Sequence, residues 1–152
     1  MNRTFAGKLK GQFVTAAYVF LDLDRGTLRY SSAGHPPLLC WRAEQRQAEE
    51  LSQKGLVLGA RPQTTYAALE VPVGPSDRLV LYTDGLLEAR DSKGEQFDAK
   101  RLLASVVDSS GEAADPAATR ILGAVSAWTG NRPQEDDFTL VVVDVLPPAQ
   151  PA

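Results

Sequence analysis

Two apolar runs in this chain meet acids at their ends, and they constrain its fold more than any other feature. Leu79-Val80-Leu81-Tyr82 reads as a buried β-strand that stops at Thr83-Asp84-Gly85. The helix-compatible run Leu86-Leu87-Glu88-Ala89-Arg90 follows it. Far downstream, Asp136-Asp137 stands immediately before Phe138-Thr139-Leu140-Val141-Val142-Val143, a second strand rich in β-branched residues. A glycine beside a strand-end carboxylate lets a ligand come close. Two such acid sites, remote in sequence, suit a hard cation held by oxygen ligands on a β scaffold.

The chain has 152 residues, so one domain is expected, and 43% hydrophobic content is enough for a core. A formal charge of −3 gives no electrostatic footing for nucleic acid or an anionic membrane as partner. Cys40 is the single cysteine, which rules out an internal disulfide and fits a reducing compartment. The first residues have no apolar signal core, and no apolar run is long enough to span a bilayer. A soluble cytoplasmic protein is the expectation.

Residues 13–23 read as a strand, Asp24-Arg25-Gly26 as a turn and residues 27–33 as a second strand, with Leu28 and Tyr30 alternating against Arg29 and Ser31. That is an antiparallel hairpin. Gly34-His35-Pro36-Pro37 breaks it, and residues 38–42 resume as a strand. The polar residues 44–50 read as a hairpin tip, residues 66–71 as another strand and residues 72–77 as a turn. Helices come later. Asp98 is placed to cap one that runs to Val107, with Leu102, Leu103, Val106 and Val107 on one face. Asp115-Pro116 looks like an N-cap followed by a first-position proline, and Leu122, Val125 and Trp128 make an apolar stripe. Residues 138–145 form the last strand, before a proline-rich tail over 147–152. Strands first and helices afterwards, with hairpin connections, predict α+β with antiparallel sheets.

The ordered motifs carry a resemblance. They are Phe13-Val14-Thr15-Ala16, Ser32-Ala33-Gly34-His35-Pro36-Pro37-Leu38-Leu39, Leu58-Gly59, the run from Asp77 through Tyr82-Thr83-Asp84-Gly85 to Ala89, and Gln134-Glu135-Asp136-Asp137-Phe138-Thr139. In this order and spacing the chain resembles the PPM-type metal-dependent protein serine/threonine phosphatases, in their bacterial sporulation stage II protein E branch. The resemblance runs from Asn2 to Val145, so residues 1–146 are expected to form one phosphatase-type unit. It implies an antiparallel β-sandwich flanked by helices. It also implies two Mn²⁺ or Mg²⁺ ions that activate water for direct attack on phosphorus, and a phosphorylated bacterial regulatory protein, such as an anti-sigma-factor antagonist, as substrate.

By motif position the resemblance makes Asp84 a metal ligand, with Gly85 beside it, and Asp136 a second ligand. Asp137 becomes an outer or alternative ligand, and Glu88, one helical turn after Asp84, a holder of water at the metal. Each has a plainer reading. Asp84 suits a helix N-cap. Asp136 and Asp137 suit a solvated loop, although adjacent carboxylates repel and a cation relieves the repulsion. His35, the only histidine, is either a turn residue packed on two prolines or a general acid or substrate contact. Asp22 and Asp24 flank a hairpin turn. Cys40 and Trp41 read as core and surface strand residues.

The family pattern begins upstream of the residue that matches Asn2, with strands bearing another Asp that bridges both metals. The resemblance therefore implies a chain lacking the N-terminal part of the domain, with too few ligands of its own for a tight binuclear site and with open sheet edges. The alternative function is a non-catalytic phosphatase-fold binding module or inactive fragment. A homodimer that covers the open edge is a further expectation. Ser76-Asp77 stands where the family commonly has Gly-Asp, a departure confined to a turn.

Overall fold

The computed structural model describes residues 1–130, 132 and 136–147. Gln134 and Glu135 of the second acidic motif, and residues 148–152 of the expected tail, lie outside them. The chain divides into two compact units, Met1–Pro37 with Leu51–Val73, and Leu38–Glu50 with Gly74–Ala152.

The first unit holds a short helix α1 (Asn2–Phe5) and strands β1 (Ala16–Asp22), β2 (Thr27–Ala33) and β5 (Leu69–Pro72). They form one antiparallel sheet in the order β1-β2-β5. The expected hairpin is there, with Asp22 opposite Thr27. Asp22 Oδ1 accepts the Arg25 N–H at 3.0 Å, so this carboxylate shapes the turn. The strand expected over 13–23 is trimmed at both ends. Along β2, Leu28 and Tyr30 are buried and Arg29 is exposed, as a two-residue period requires.

The second unit holds β3 (Leu38–Arg42), all but the last residue of β4 (Gln47–Leu51), β6 (Arg78–Tyr82) and β7 (Leu140–Asp144), in the sheet order β4-β3-β6-β7. Its helices are α2 (Gly85–Glu88), α3 (Asp98–Asp108) and α4 (Ala114–Thr129). The supposed hairpin tip is in fact the edge strand β4. Its charged residues suit an edge, and Glu49 Oε1 meets Arg42 Nε of β3 at 2.6 Å.

Leu39, Trp41, Val80 and Tyr82 of this sheet pack against Phe97, Leu102, Val106, Ile121 and Val125. Full burial of each such aliphatic side chain contributes about 1.5–3 kcal/mol. Trp41, expected at the surface, is thus a core residue, 8% exposed. On α3 the buried face is Leu102, Ser105 and Val106, whereas Val107 is 39% exposed. The 3.6-residue period selects the i, i+4 pair over the adjacent residues. On α4 the buried residues are Ala117, Ile121 and Val125, spaced four apart.

Helix starts differ from expectation in detail. Asp98 does cap, since its Oδ1 accepts the Arg101 N–H at 2.9 Å, and it does so from a left-handed φ of 61°. Helix α4 begins earlier than expected, with Ala113 as N-cap and Asp115 and Pro116 inside its first turn. Proline is tolerated there because first-turn N–H groups lack intrahelical partners anyway. Gly130, left-handed at φ 65°, ends the helix. The class is α+β with antiparallel sheets, as the sequence predicts.

Candidate metal centre

The acids are positioned by the β6–β7 pair. These antiparallel strands are in register from Arg78↔Asp144 to Tyr82↔Leu140. At the first end Arg78, 3% exposed, donates from Nε and Nη2 to the two carboxylate oxygens of Asp144 at 2.6 and 3.0 Å. It also donates to the carbonyls of Ser109, at 2.8 Å, and Glu112, which ties the strand pair to the end of α3. At the other end the ladder continues past the strands. The Thr83 N–H donates to Thr139 O at 3.1 Å, and the Thr139 N–H donates to Thr83 Oγ1 at 2.8 Å.

Antiparallel pairing therefore puts the residues after Tyr82 and those before Leu140 at one end of the sheet. Asp84 and Asp136-Asp137 meet there. Gly85 is buried, and a Cβ on it would lie 2.7 Å from Asp137 O and 3.6 Å from Asp136 Cβ. The glycine expected to admit a ligand thus admits the backbone of the neighbouring acidic loop.

Asp84 occupies the N-cap position of α2, and its carbonyl accepts the Leu87 and Glu88 N–H groups at 2.8 and 3.0 Å. Its side chain makes no capping bond. Among the described residues the exposed Asp84 carboxylate has no hydrogen bond and no ion pair. The plainer reading, a carboxylate spent on capping, does not describe it. Asp136 Oδ1 accepts the Asp137 N–H at 2.8 Å. Asp136 and Glu88 border a cavity of about 430 Å³ together with Gly85 and Phe138. The Asp137 side chain is exposed and is not part of that lining.

His35 belongs to the first unit. Its Nδ1 lies 3.3 Å from Thr15 Oγ1, its N–H donates to Ser32 Oγ at 3.1 Å, and its carbonyl accepts the Ser32 hydroxyl at 3.0 Å. Cys40 is fully buried, and burial pushes its thiol up to about 12, so it stays protonated in the core at neutral pH and is no ready nucleophile.

Asp84, Asp136, Asp137 and Glu88 offer only hard oxygen donors, the type that Mg²⁺ or Mn²⁺ takes. Among the described residues, however, no three His, Cys, Asp or Glu side chains converge to hold a metal ion. The donor set fits an open cation site completed by water or further ligands, not a closed cage. Thr83 and Thr139, which pair the two acidic segments, and Arg78, which anchors the far end of the same strands, stand in or beside the quoted motifs with no role assigned to them there. A threonine beside each acidic site, Thr83 before Asp84 and Thr139 two residues after Asp137, was the available signal. Among the described residues no helix is long and apolar enough to cross a membrane.

Comparison with known proteins agrees with this architecture. The family model described as stage II sporulation protein E matches residues 1–146. Phosphoserine phosphatase RsbU of Bacillus subtilis is 31% identical over 93 residues, which are 60% of this chain and 28% of RsbU. The solved SiaA-PP2C domain of Pseudomonas aeruginosa superposes with a TM-score of 0.75 at 24% identity, covering 86% of this chain and 51% of that one. The manganese-presoaked phosphatase domain of SpoIIE from Bacillus subtilis gives 0.65 at 18% identity, covering 91% and 59%. The chain spans 19% to 28% of the curated relatives it matches.

Proposed function

The chain belongs to the stage II sporulation protein E family, and on that premise we propose that it serves metal-dependent hydrolysis of phosphoserine or phosphothreonine on a regulatory protein. The observation that carries this reading is the Asp84 carboxylate. It is exposed, uncommitted to capping, and at the same sheet end as Asp136. In a bacterial setting the regulatory protein would be of the anti-sigma-factor antagonist type.

Asp84 and Asp136 would hold the cation, Mn²⁺ or Mg²⁺, with Asp137 and Glu88 at its outer edge. The ion would neutralise phosphate charge and activate water. The chain's own residues align the two carboxylates through Thr83 and Thr139 and let their backbones approach through Gly85. The test is manganese-dependent hydrolysis of p-nitrophenyl phosphate and of a phosphoserine peptide, by this chain and by a longer polypeptide that includes it. Turnover should fall on the order of 100-fold in Asp84→Asn. Equal rates for the longer wild type and its Asp84→Asn variant would refute the assignment.

A second reading is a phosphatase-fold module that binds a regulatory partner without catalysis. It is favoured by the lack of three converging metal-ligating side chains among the described residues. Calorimetric titration with Mn²⁺ separates the two, because tight binding of two ions by this chain would exclude the non-catalytic reading.

A further inference from the structure

The cavity bordered by Glu88 and Asp136 has a second wall that the phosphatase reading leaves unused. Arg90 and Arg132 line it, over a floor that includes Leu122 and Val125. Both guanidiniums reach the same tight turn. Arg90 Nη1 donates to Gly94 O at 2.7 Å, and Arg132 Nη1 lies 3.4 Å from Asp91 O. Both side chains are exposed, and among the described residues neither is within ion-pair distance of a carboxylate. Two cations are thus gathered at one turn with only main-chain carbonyls to receive them, and most of their N–H donors remain available. Like charges held together in this way favour an anionic ligand. The guanidinium fork matches a carboxylate. The volume and the mixture of an apolar floor with a few polar groups are those of a site for a small group or a few side chains.

We propose that this cavity is a specificity subsite that takes an acidic side chain and a neighbouring apolar side chain of the phosphoprotein substrate. Arg90 and Arg132 bind the carboxylate, and Leu122 and Val125 receive the apolar group. The identity of the occupant rests on the phosphatase reading. The complementarity itself rests on the arginine pair and the floor beneath it. Because the cavity also contains Asp136, an occupant held there would lie beside the proposed cation site and present its phosphorylated residue to it.

The test is fluorescence anisotropy with two labelled phosphoserine peptides, titrated with the full chain. One has leucine flanked by glutamates; the other has glutamines in their place. The wild type should bind the acidic peptide about tenfold more tightly than the amide peptide, with the preference shrinking as salt is raised. Arg90→Gln with Arg132→Gln should abolish the preference while the thermal melt stays unchanged. Arg120→Gln, which removes an exposed charge paired with Glu112, should retain it. Equal affinity for both peptides, no binding of the acidic peptide, or a preference that survives in the double variant would overturn the proposal. So would pyrophosphate binding at the arginines that the acidic peptide cannot displace. If instead Asp84→Asn hydrolyses phosphate esters as fast as wild type while the peptide preference stands, the phosphatase reading fails and the subsite does not.

Discussion

Gly85 and Asp137 are in such close backbone contact that a single added methyl group would lie 2.7 Å from the Asp137 carbonyl oxygen. The obstacle is backbone, so it has no flexible side-chain end to give way. Gly85→Ala should push the acidic loop away from α2 and cost about 1–3 kcal/mol of stability. Urea denaturation measures that cost. Manganese affinity should fall with it, whereas Gly123→Ala, in the middle of α4 where a Cβ meets open space, should leave manganese affinity unchanged and raise stability by about 0.5–1 kcal/mol.

Arg78 should be the most costly single charge to remove. Arg78→Met leaves the Asp144 carboxylate and the Ser109 and Glu112 carbonyls without their donor. A loss of about 3–5 kcal/mol is expected. Arg78→Lys keeps the charge but not the fork, and should cost less, about 1–3 kcal/mol. Equal losses in the two variants would show that the charge contributes nothing without the two-pronged geometry, and an undiminished Arg78→Lys would show that charge alone suffices.

Ser76 is left-handed, with φ 68°, in the turn before β6, and its N–H donates to Val145 O at 2.7 Å. Glycine adopts this conformation without the Cβ penalty. Ser76→Gly should therefore raise stability by about 0.5–1 kcal/mol even after the added freedom of the unfolded chain is counted. A higher urea midpoint at unchanged slope is the expected reading.

The Cys40 thiol supplies a pH prediction. Its native value is pushed up to about 12 by burial, from 9.0 for a solvated thiol. The folded state holds this proton more tightly than the unfolded state does. The associated stability is therefore fully present below pH 9.0 and is lost as pH rises towards 12. Native protein at pH 8.5 should resist iodoacetamide, and protein in urea should react. Cys40→Ala should flatten the alkaline decline in stability, apart from the cost of its cavity.

Much of the fold was legible in the sequence. The β1–β2 hairpin follows from alternation and turn residues, and β3 and β6 from short apolar runs bounded by turn residues, because those signals are local. β4 was missed because Gln47-Ala48-Glu49-Glu50-Leu51 has the polarity of a loop, and an edge strand tolerates that polarity. Trp41 was misplaced because β3 is buried along its whole length, which alternation cannot reveal. The candidate site was legible as two acidic strand ends. Their adjacency was not, since β6 and β7 pair across three intervening helices. The reason for Gly85 was also hidden, because it depends on a loop about fifty residues away in sequence, brought near only by that pairing.

The central claim is that Asp84 and Asp136 form one cation site at the end of the β6–β7 pair. Titrating Mn²⁺ into the chain and following the free ion by electron paramagnetic resonance tests it most directly. The account predicts bound Mn²⁺ in the wild type and an affinity at least about tenfold weaker in both Asp84→Asn and Asp136→Asn, with unchanged thermal melts. A wild type that binds no Mn²⁺, or an Asp84→Asn variant that binds it equally well, would contradict the claim.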